Sequence, residues 1–215
     1  MSINHHLNKD TLLAYSAGTL YEGFSFLAKA HLHYCKTCQH QLDLANHFAG
    51  NLLEKNHDSM MNDNSFNQLW DKIQSKDASS DASKAIIKEI KNDFSLIINN
   101  NYDDIPWSVL VPGIQQYIFT DIHCDQGSVR LLKIKSGIQI PHHSHNGTEL
   151  TLILKGSYED ESGEYYPGDL SDLDDSNCHQ PHVNSTEDCI CLIATEQKLK
   201  FSSPFNRLLQ VAVGL

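Results

Sequence analysis

The chain has 215 residues, of which 40% are hydrophobic and 20% are charged, a composition that supports a packed core in one or two domains and argues against global disorder. The 27 acidic residues outnumber the 16 basic residues and give a net charge of −11, which argues against direct binding of nucleic acid because such binding needs a basic surface. The apolar runs are too short for a transmembrane helix, and the polar start of the sequence lacks the apolar core of a secretory signal, so we expect a cytoplasmic protein without a membrane partner.

Apolar residues recur at helical spacing through the first 75 residues, which predicts a helical segment. Gly18 is expected to end the first helix, since glycine is common just after a helix. A second helix is predicted from Glu22 to about Tyr34, and a third from about Cys38 past Leu52. These three helices precede a fourth amphipathic segment.

The fourth predicted helix carries Leu69, Trp70 and Ile73. A segment of this size offers these side chains too few apolar companions for complete burial. An exposed apolar stripe on a helix commonly docks on a partner protein. We therefore predict that Leu69, Trp70 and Ile73 form a partner-binding surface.

A cluster of metal-binding residue types lies at the predicted junction of the second and third helices. His31 and Cys35 are four residues apart and would share a helix face, and Cys38 completes a C-x-x-C pair whose two thiolates can bind one ion. A closed tetrahedral zinc site needs a fourth ligand, which His5 or His6 can supply; spacing alone does not choose between them, and we favour His6. In the alternative interpretation the cysteines serve in helix packing or redox chemistry and the histidines lie on the surface. The histidine four residues before Cys35 and the histidine pair near the start of the chain favour the zinc site over this alternative.

The composition changes after the predicted helices. Residues 76–84 are rich in Ser, Asp and Ala, with no aromatic or β-branched residue, and are predicted to form a linker. Residues 85–98 have the spacing of a further helix, which the run from Asn99 to Asn101 would end. The 13 histidines fall into two groups, with none between residues 57 and 123, which predicts two sites in two domains.

Short β-prone runs alternate with glycine-containing turns from Pro106 onward. The runs cover residues 109–111, 116–122, 129–134, 151–154 and 189–194. This alternation predicts a small antiparallel sandwich or barrel. The stretch 158–175 contains eight acidic residues and neither Lys nor Arg, and we expect it to be a solvated loop.

A second pattern of metal-binding residue types lies in this β-rich part. Gly137 is followed after five residues by His143-Ser-His145, then after three by Glu149 and after six more by Gly156. His143 and His145 alternate along a strand and therefore point to one face of a sheet. The intervening Asn-Gly pair favours a hairpin turn, from which Glu149 would return on the partner strand to face the same ion.

His179 follows a Pro-Gly turn and is the predicted fourth ligand, with His182 as a weaker candidate. Three histidines and one carboxylate, His143, His145, Glu149 and His179, make a site for zinc or another divalent transition metal. The alternative is a metal-free cluster of hydrogen-bonded histidines. Among the cysteines, Cys189 and Cys191 are expected to lie in the core, with thiols that respond to oxidants as the alternative.

Both patterns resemble known families. The sequence around His31, Cys35 and Cys38, with a histidine upstream, resembles the zinc-containing anti-sigma domain family over about residues 1–75. The pattern from Gly137 to Gly156 is similar, at every defined position, to the first motif of the cupins. The fusion of the two resembles the ChrR family of anti-sigma factors over nearly the whole chain.

This resemblance implies an α+β protein of two domains: an all-helical zinc anti-sigma domain at residues 1–78, a linker with a possible helix at 79–103, a cupin domain with an antiparallel β-barrel at 104–200 and a tail at 201–215. It implies a negative regulator of transcription and not an enzyme. The zinc domain would sequester an extracytoplasmic-function sigma factor, and the metal-binding cupin domain would release it under singlet-oxygen or organic-peroxide stress. The acidic charge suits a basic sigma factor. The alternative is a dioxygenase-like cupin metalloenzyme with an accessory zinc helical domain.

Overall fold

The computed structural model describes residues 2–55, 62, 64–75, 94–99, 101–124, 127–145, 147–197 and 200–201. Its four long helices are α1 (Lys9–Ser16), α2 (Glu22–Tyr34), α3 (Lys36–Lys55) and α4 (Ser65–Ser75). These helices confirm the predicted helical N-terminal segment. The predicted linker at 76–84, most of the predicted helix at 85–98 and the tail beyond residue 201 lie outside the described residues, although residues 94–98 are helical.

The ends of α1 follow from local residue chemistry. The Asn8 side chain accepts a hydrogen bond from the backbone N–H of Thr11, which satisfies one of the free donors at the start of the helix. Gly18 has a φ of +68°, a left-handed conformation that glycine adopts without steric cost. The first helix therefore stops where the sequence predicts.

Eleven strands are described, all paired antiparallel. They are β1 (Ser108–Val111), β2 (Ile114–Ile118), β3 (Ser128–Ile134), β4 (His143–Ser144), β5 (Glu149–Lys155), β6 (Tyr158–Asp160), β7 (Gly163–Tyr165), β8 (Leu170–Leu173), β9 (Cys178–His179), β10 (Cys189–Thr195) and β11 (Lys200–Phe201). A six-stranded sheet has the order β1-β2-β3-β10-β5-β8, a three-stranded sheet the order β11-β4-β9, and β6 pairs with β7. The predicted antiparallel β-domain is confirmed, with its described strands distributed over three sheets.

Alternation along the central strands divides the interior into two layers. In β5, Leu150 and Leu152 belong to a core shared with the helices, whereas Ile153 belongs to a second core on the other face of the sheet. In β10, Leu192 faces the helices and Cys191 faces the second core. Because successive side chains of a strand point to opposite faces, one apolar strand supplies side chains to both cores.

Helix α2 packs directly on the six-stranded sheet, against β5 and β10. Leu27, Ala28 and Ala30 of α2 are fully buried and share one continuous apolar core with the sheet. The division into domains at residues 78, 103 and 200 stays a prediction, and the described residues on the two sides of it are in close contact. Within the described residues, no helix combines the length and the apolar character needed to cross a membrane.

Candidate metal centres

The first cluster forms where α2 ends and α3 begins. Cys35 has φ −95° and ψ 104°, an extended conformation that breaks the helix between His31, in the last turn of α2, and Cys38, in the first turn of α3. His6 reaches the same point from residues 2–7, the N-terminal arm. The ligand atoms of His6, His31, Cys35 and Cys38 all lie within 4.8 Å of one another.

The closest contacts in this cluster join nitrogen to sulfur. His6 Nδ1 lies 3.2 Å from Cys35 Sγ, and His31 Nε2 lies 3.3 Å from Cys38 Sγ. His5 is turned away: its Nε2 lies 3.1 Å from the carbonyl oxygen of Glu164, and its ring stacks on Tyr165. The structure thus brings together His6 and not His5 with the three other predicted residues.

Burial favours the uncharged forms of His31 and Cys38 in the metal-free protein. The pKa of His31 is lowered to about 4 by burial, and the pKa of the Cys38 thiol is raised to about 11, again chiefly by burial. The imidazole of His31 is therefore neutral and can bind a metal directly, whereas the metal must displace the proton of the Cys38 thiol. Two sulfur and two nitrogen donors, grouped closely enough to meet one ion, fit tetrahedral zinc.

The second cluster lies between the paired strands β4 and β9. His143 is the register partner of His179 in this pair, and His145 follows directly after β4. Nε2 of His179 lies 3.2 Å from Nε2 of His143 and 3.3 Å from Nε2 of His145. All three side chains are buried, so the structure brings three of the four predicted ligands to one point.

Glu149, the fourth predicted ligand, lies behind His145 and outside the group of three Nε2 atoms. Its Oε2 is 3.2 Å from Nδ1 of His145, and its Oε1 accepts a hydrogen bond from Thr151. Burial would lower the pKa of His145, but the Glu149 carboxylate raises it. Burial would likewise raise the pKa of Glu149, but its interactions with His145 and the two other histidines lower it to about 2. The carboxylate of Glu149 and the imidazole of His145 therefore stabilise each other's charged forms.

The other two histidines of the second cluster are oriented by oxygen atoms that the sequence did not single out. Nδ1 of His179 lies 2.9 Å from Oδ2 of Asp160, whose side chain is fully buried, and Nδ1 of His143 lies 2.9 Å from the carbonyl oxygen of Pro141. The pKa of His143 is lowered to about 4, chiefly by burial. Three imidazole nitrogens beside a carboxylate fit a divalent transition metal.

The acidic stretch 158–175 is not the solvated loop that we expected. It forms β6, β7 and β8, and the carboxylates of Asp160 and Asp169 are fully buried. The expectation was wrong because charge count alone does not reveal which carboxylates meet a hydrogen-bond donor.

A small cavity of about 60 Å³ lies beside the second cluster. Its lining combines His143, His179 and Glu149 with apolar side chains that include Ile140 and Val183. Cys191 also lines this cavity and is buried, as is Cys189, in agreement with a core position. The pKa of Cys191 is raised well above its usual value by its contact with Cys189 and by burial.

The predicted partner-binding residues are on the surface. Leu69, Trp70 and Ile73 of α4 are between 50% and 56% exposed, and Phe66, which stacks on Trp70, is also exposed. Helix α3 adds a set of exposed apolar residues that sequence analysis did not single out: Leu44, Phe48, Leu52 and Leu53.

Comparison with known proteins gives matches along the whole chain. The model of the ChrR cupin-like domain matches residues 98–199. The anti-sigma-E factor ChrR of Cereibacter sphaeroides is 30% identical over 210 residues, which is 98% of each chain. The crystal structure of Rhodobacter sphaeroides SigE in complex with the anti-sigma ChrR matches with a TM-score of 0.72 and 29% identity, covering 90% of this chain and 99% of that chain.

Proposed function

The chain belongs to the ChrR family of anti-sigma factors, and from that premise we propose that it sequesters an extracytoplasmic-function sigma factor in the cytoplasm. The observation that carries the proposal is the similarity, over 98% of the chain, to an anti-sigma factor, together with the related structure that contains SigE. The net charge of −11 supports it, since an acidic protein can cover the basic surface with which a sigma factor meets DNA.

The docking surface is assigned to α3 and α4. Their exposed apolar side chains, defined above around Phe48 on α3 and around Leu69, Trp70 and Ile73 on α4, have no function in the core. Clustered exposed apolar side chains mark protein–protein contacts, and aromatic residues dominate the binding energy of such contacts. The predicted surface on α4 is therefore extended to α3.

The first cluster, His6, His31, Cys35 and Cys38, is assigned to structural zinc. A bound zinc ion supplies the bonds that fix the end of α2, the start of α3 and the N-terminal arm in one arrangement. Two residues of this chain prepare the site for the ion. The extended Cys35 sets the angle between α2 and α3, and burial keeps the His31 imidazole neutral. The docking surface on α3 depends on this angle.

The second cluster, His143, His145 and His179 with Glu149 beside them, is assigned to zinc or another divalent transition metal. We assign to it the release of the sigma factor under singlet-oxygen or organic-peroxide stress. What supports this role is the position of the cluster in the second core, away from the proposed docking surface, and the small cavity beside it. The cavity of about 60 Å³ has room for about two water-sized groups, too little for the substrate of a dioxygenase-like enzyme.

Binding to an extracytoplasmic-function sigma factor of the same organism tests the proposal. The full chain is expected to bind that sigma factor and to inhibit transcription by its complex with RNA polymerase. Trp70→Ala and Phe48→Ala are expected to weaken binding by about tenfold or more, as is common for exposed aromatic residues in an interface. Leu13→Ala is the matched control, because Leu13 is 54% exposed on α1, outside the proposed surface. Full affinity in both aromatic variants would contradict the assigned surface, and no binding by the wild-type chain would contradict the function.

A further inference from the structure

The first metal cluster is in contact with a loop from the β-rich half of the chain. Residues 166–169, here called the 166–169 loop, connect β7 to β8. The carbonyl oxygen of Gly168 accepts a hydrogen bond of 3.0 Å from Nδ1 of His31, a residue 137 positions earlier. This bond places the proton on Nδ1 and directs the free electron pair of Nε2 towards Cys38.

The same loop holds the N-terminal arm through a buried carboxylate. Oδ1 of Asp169 accepts hydrogen bonds from the backbone N–H groups of Asn4, at 2.6 Å, and His5, at 3.0 Å. The backbone N–H of Leu170 donates to the carbonyl oxygen of His5. The arm is therefore fixed immediately before His6, the residue that meets Cys35.

Apolar contacts complete the attachment of the arm. The ring of His5 stacks on Tyr165 with centroids 4.1 Å apart. Ile3 lies so close to Gly168 that a Cβ atom there would come within 2.9 Å of Ile3 Cδ1, and Gly168 has a φ of +96°. Both the close approach and the left-handed conformation require glycine at this position. The loop and the arm thus fit each other along several residues.

We propose that Asp169 is a positioning residue for the first metal cluster, so that the β-rich half of the chain supplies bonds that hold His6 and His31 ready for an ion. Oδ2 of Asp169 accepts the backbone N–H of Tyr166, which fixes the carboxylate in the loop, while Oδ1 is directed at the arm. The inference rests on the assignment of zinc to the cluster of His6, His31, Cys35 and Cys38. If the inference is correct, residues from both halves of the chain hold the first metal cluster in place.

Cobalt(II) substitution of the full chain tests this role, because cobalt bound by thiolates has a charge-transfer absorption. Among the described residues only the first cluster contains cysteine ligands, so this absorption reports that cluster, whereas total metal content reports both. In Asp169→Asn the affinity of the thiolate site for cobalt, and for zinc in competition with a chelator, is expected to fall by roughly 10- to 100-fold, the usual effect of losing an outer contact that orients metal ligands. Asp175→Asn is the matched control, since Asp175 is exposed in the same acidic stretch.

A second pair of variants changes the arm and leaves the β-rich half intact. Asn4→Pro removes one of the two N–H groups of the arm that donate to Oδ1 of Asp169, and it is expected to weaken the thiolate site in the same direction. Ser2→Pro introduces a proline into the same arm outside this contact and serves as its control. Selective weakening of the thiolate site by either Asp169→Asn or Asn4→Pro, with the second metal equivalent retained, supports the positioning role.

Two results overturn the positioning role while leaving the zinc assignment in place. One is wild-type affinity of the thiolate site in both Asp169→Asn and Asn4→Pro. The other is an equal loss of both metal equivalents in Asp169→Asn with wild-type affinity in Asn4→Pro, which would show a general structural role. If wild-type protein binds cobalt without any thiolate absorption, the zinc assignment itself fails, and the positioning role fails with it.

Discussion

A histidine binds a metal through the ring nitrogen that carries no proton, so the partner of the other nitrogen decides whether it is ready to bind. In both clusters that partner is an oxygen atom of the protein: Gly168 for His31, Pro141 for His143 and Asp160 for His179. Spacing in the sequence predicted the ligands, because it follows from the periods of helix and strand. It could not predict these partners, because two of the three come from distant parts of the chain.

The contact between Asp160 and His179 gives a first prediction. Asp160→Asn replaces an oxygen that only accepts by an amide that can donate to Nδ1 of His179, which would move the proton to the nitrogen that faces the cluster. The affinity of the second cluster for zinc is expected to fall by roughly 10- to 100-fold. Competition with a chromogenic chelator measures it. Glu161→Gln is the control, because Glu161 is exposed at the next position. Equal affinities in the two variants would rule out the orienting role of Asp160.

The buried His31 gives a second prediction, for stability against pH in the metal-free protein. Its pKa is lowered to about 4 by burial, whereas an exposed histidine in the unfolded chain titrates near 6.5. Between these values the unfolded chain binds more protons than the folded one, so this contribution to stability is fully present above pH 6.5 and is lost as pH falls towards 4. The expected loss is about 3 kcal/mol.

Urea denaturation of chelator-treated protein at pH 7 and pH 4.5 measures this loss. His31→Gln is expected to show a smaller difference between the two pH values than wild-type protein. His33→Gln, which changes an exposed histidine of the same helix, should keep the wild-type difference. An unchanged difference in His31→Gln would show that other groups cause the acid sensitivity.

Helix α2 and strands β5 and β10 show what determines packing at the scale of elements. The two strands are almost continuously apolar, which predicts burial on both faces and leaves open what covers each face. The structure shows that α2 covers one face through Leu27, Ala28 and Ala30. Because the helical segment and the sheet share this core, we expect them to unfold together.

The burial of Leu27 gives a third prediction. Leu27→Ala is expected to lower the free energy of unfolding by about 2–5 kcal/mol, because it leaves a cavity between α2 and the sheet. In a Trp70→Phe background the fluorescence of Trp107, the other of the two tryptophans, reports the β-rich half. Its urea midpoint should shift with that of the helical circular-dichroism signal. Leu13→Ala, on the exposed side of α1, should shift neither. An unshifted Trp107 transition in Leu27→Ala would show that the two halves unfold independently.

The elements themselves were largely predictable, and their assembly was not. Helical spacing gave α1 to α4 to within a few residues, and period-two alternation predicted that His143 and His145 meet at one point. The predicted hairpin with Glu149 on the partner strand was wrong, because β4, which holds His143, and β5, which begins at Glu149, belong to different sheets. The choice between His5 and His6 depended on a contact of His5 with Glu164 in β7, far along the chain. The burial of Asp160 and Asp169 likewise depended on donors that come from other elements. Long-range contacts of this kind leave no local pattern in one sequence.

At the scale of the whole molecule, the two metal clusters are joined by contiguous contacts. His5 of the N-terminal arm stacks on Tyr165, and Tyr165 stacks on Tyr158, which lines the cavity beside the second cluster. Asp160, two residues after Tyr158, contacts His179. Spatial contact alone does not demonstrate coupling, for which a change at one cluster must alter the energy of the other. It does provide a physical route by which the second cluster could bias the arrangement of the first.

Separation of capture from release is the prediction that belongs to the whole molecule. His143→Ala combined with Glu149→Ala removes one histidine of the second cluster and the carboxylate beside it, and leaves α3 and α4 unchanged. The variant is expected to silence a sigma-dependent reporter in unstressed cells, because the docking surface is intact. It is expected not to induce the reporter under singlet oxygen or an organic hydroperoxide. Without the second metal cluster, no change there can supply the coupling free energy, typically 1–3 kcal/mol, that would lower the affinity for the sigma factor.

The matched control for this reporter experiment is His142→Ala combined with Glu161→Ala, which removes the same residue types from the exposed surface beside the cluster. This control should keep both repression and induction. Full induction in His143→Ala with Glu149→Ala would show that the second cluster is not the trigger, whereas constant reporter activity would show that it is needed for capture. Because the two halves share one core, the urea midpoint of each variant must be compared with that of the wild type. Loss of repression at an unchanged midpoint then reports a direct contribution to capture, and loss at a lowered midpoint reports unfolding of the shared core.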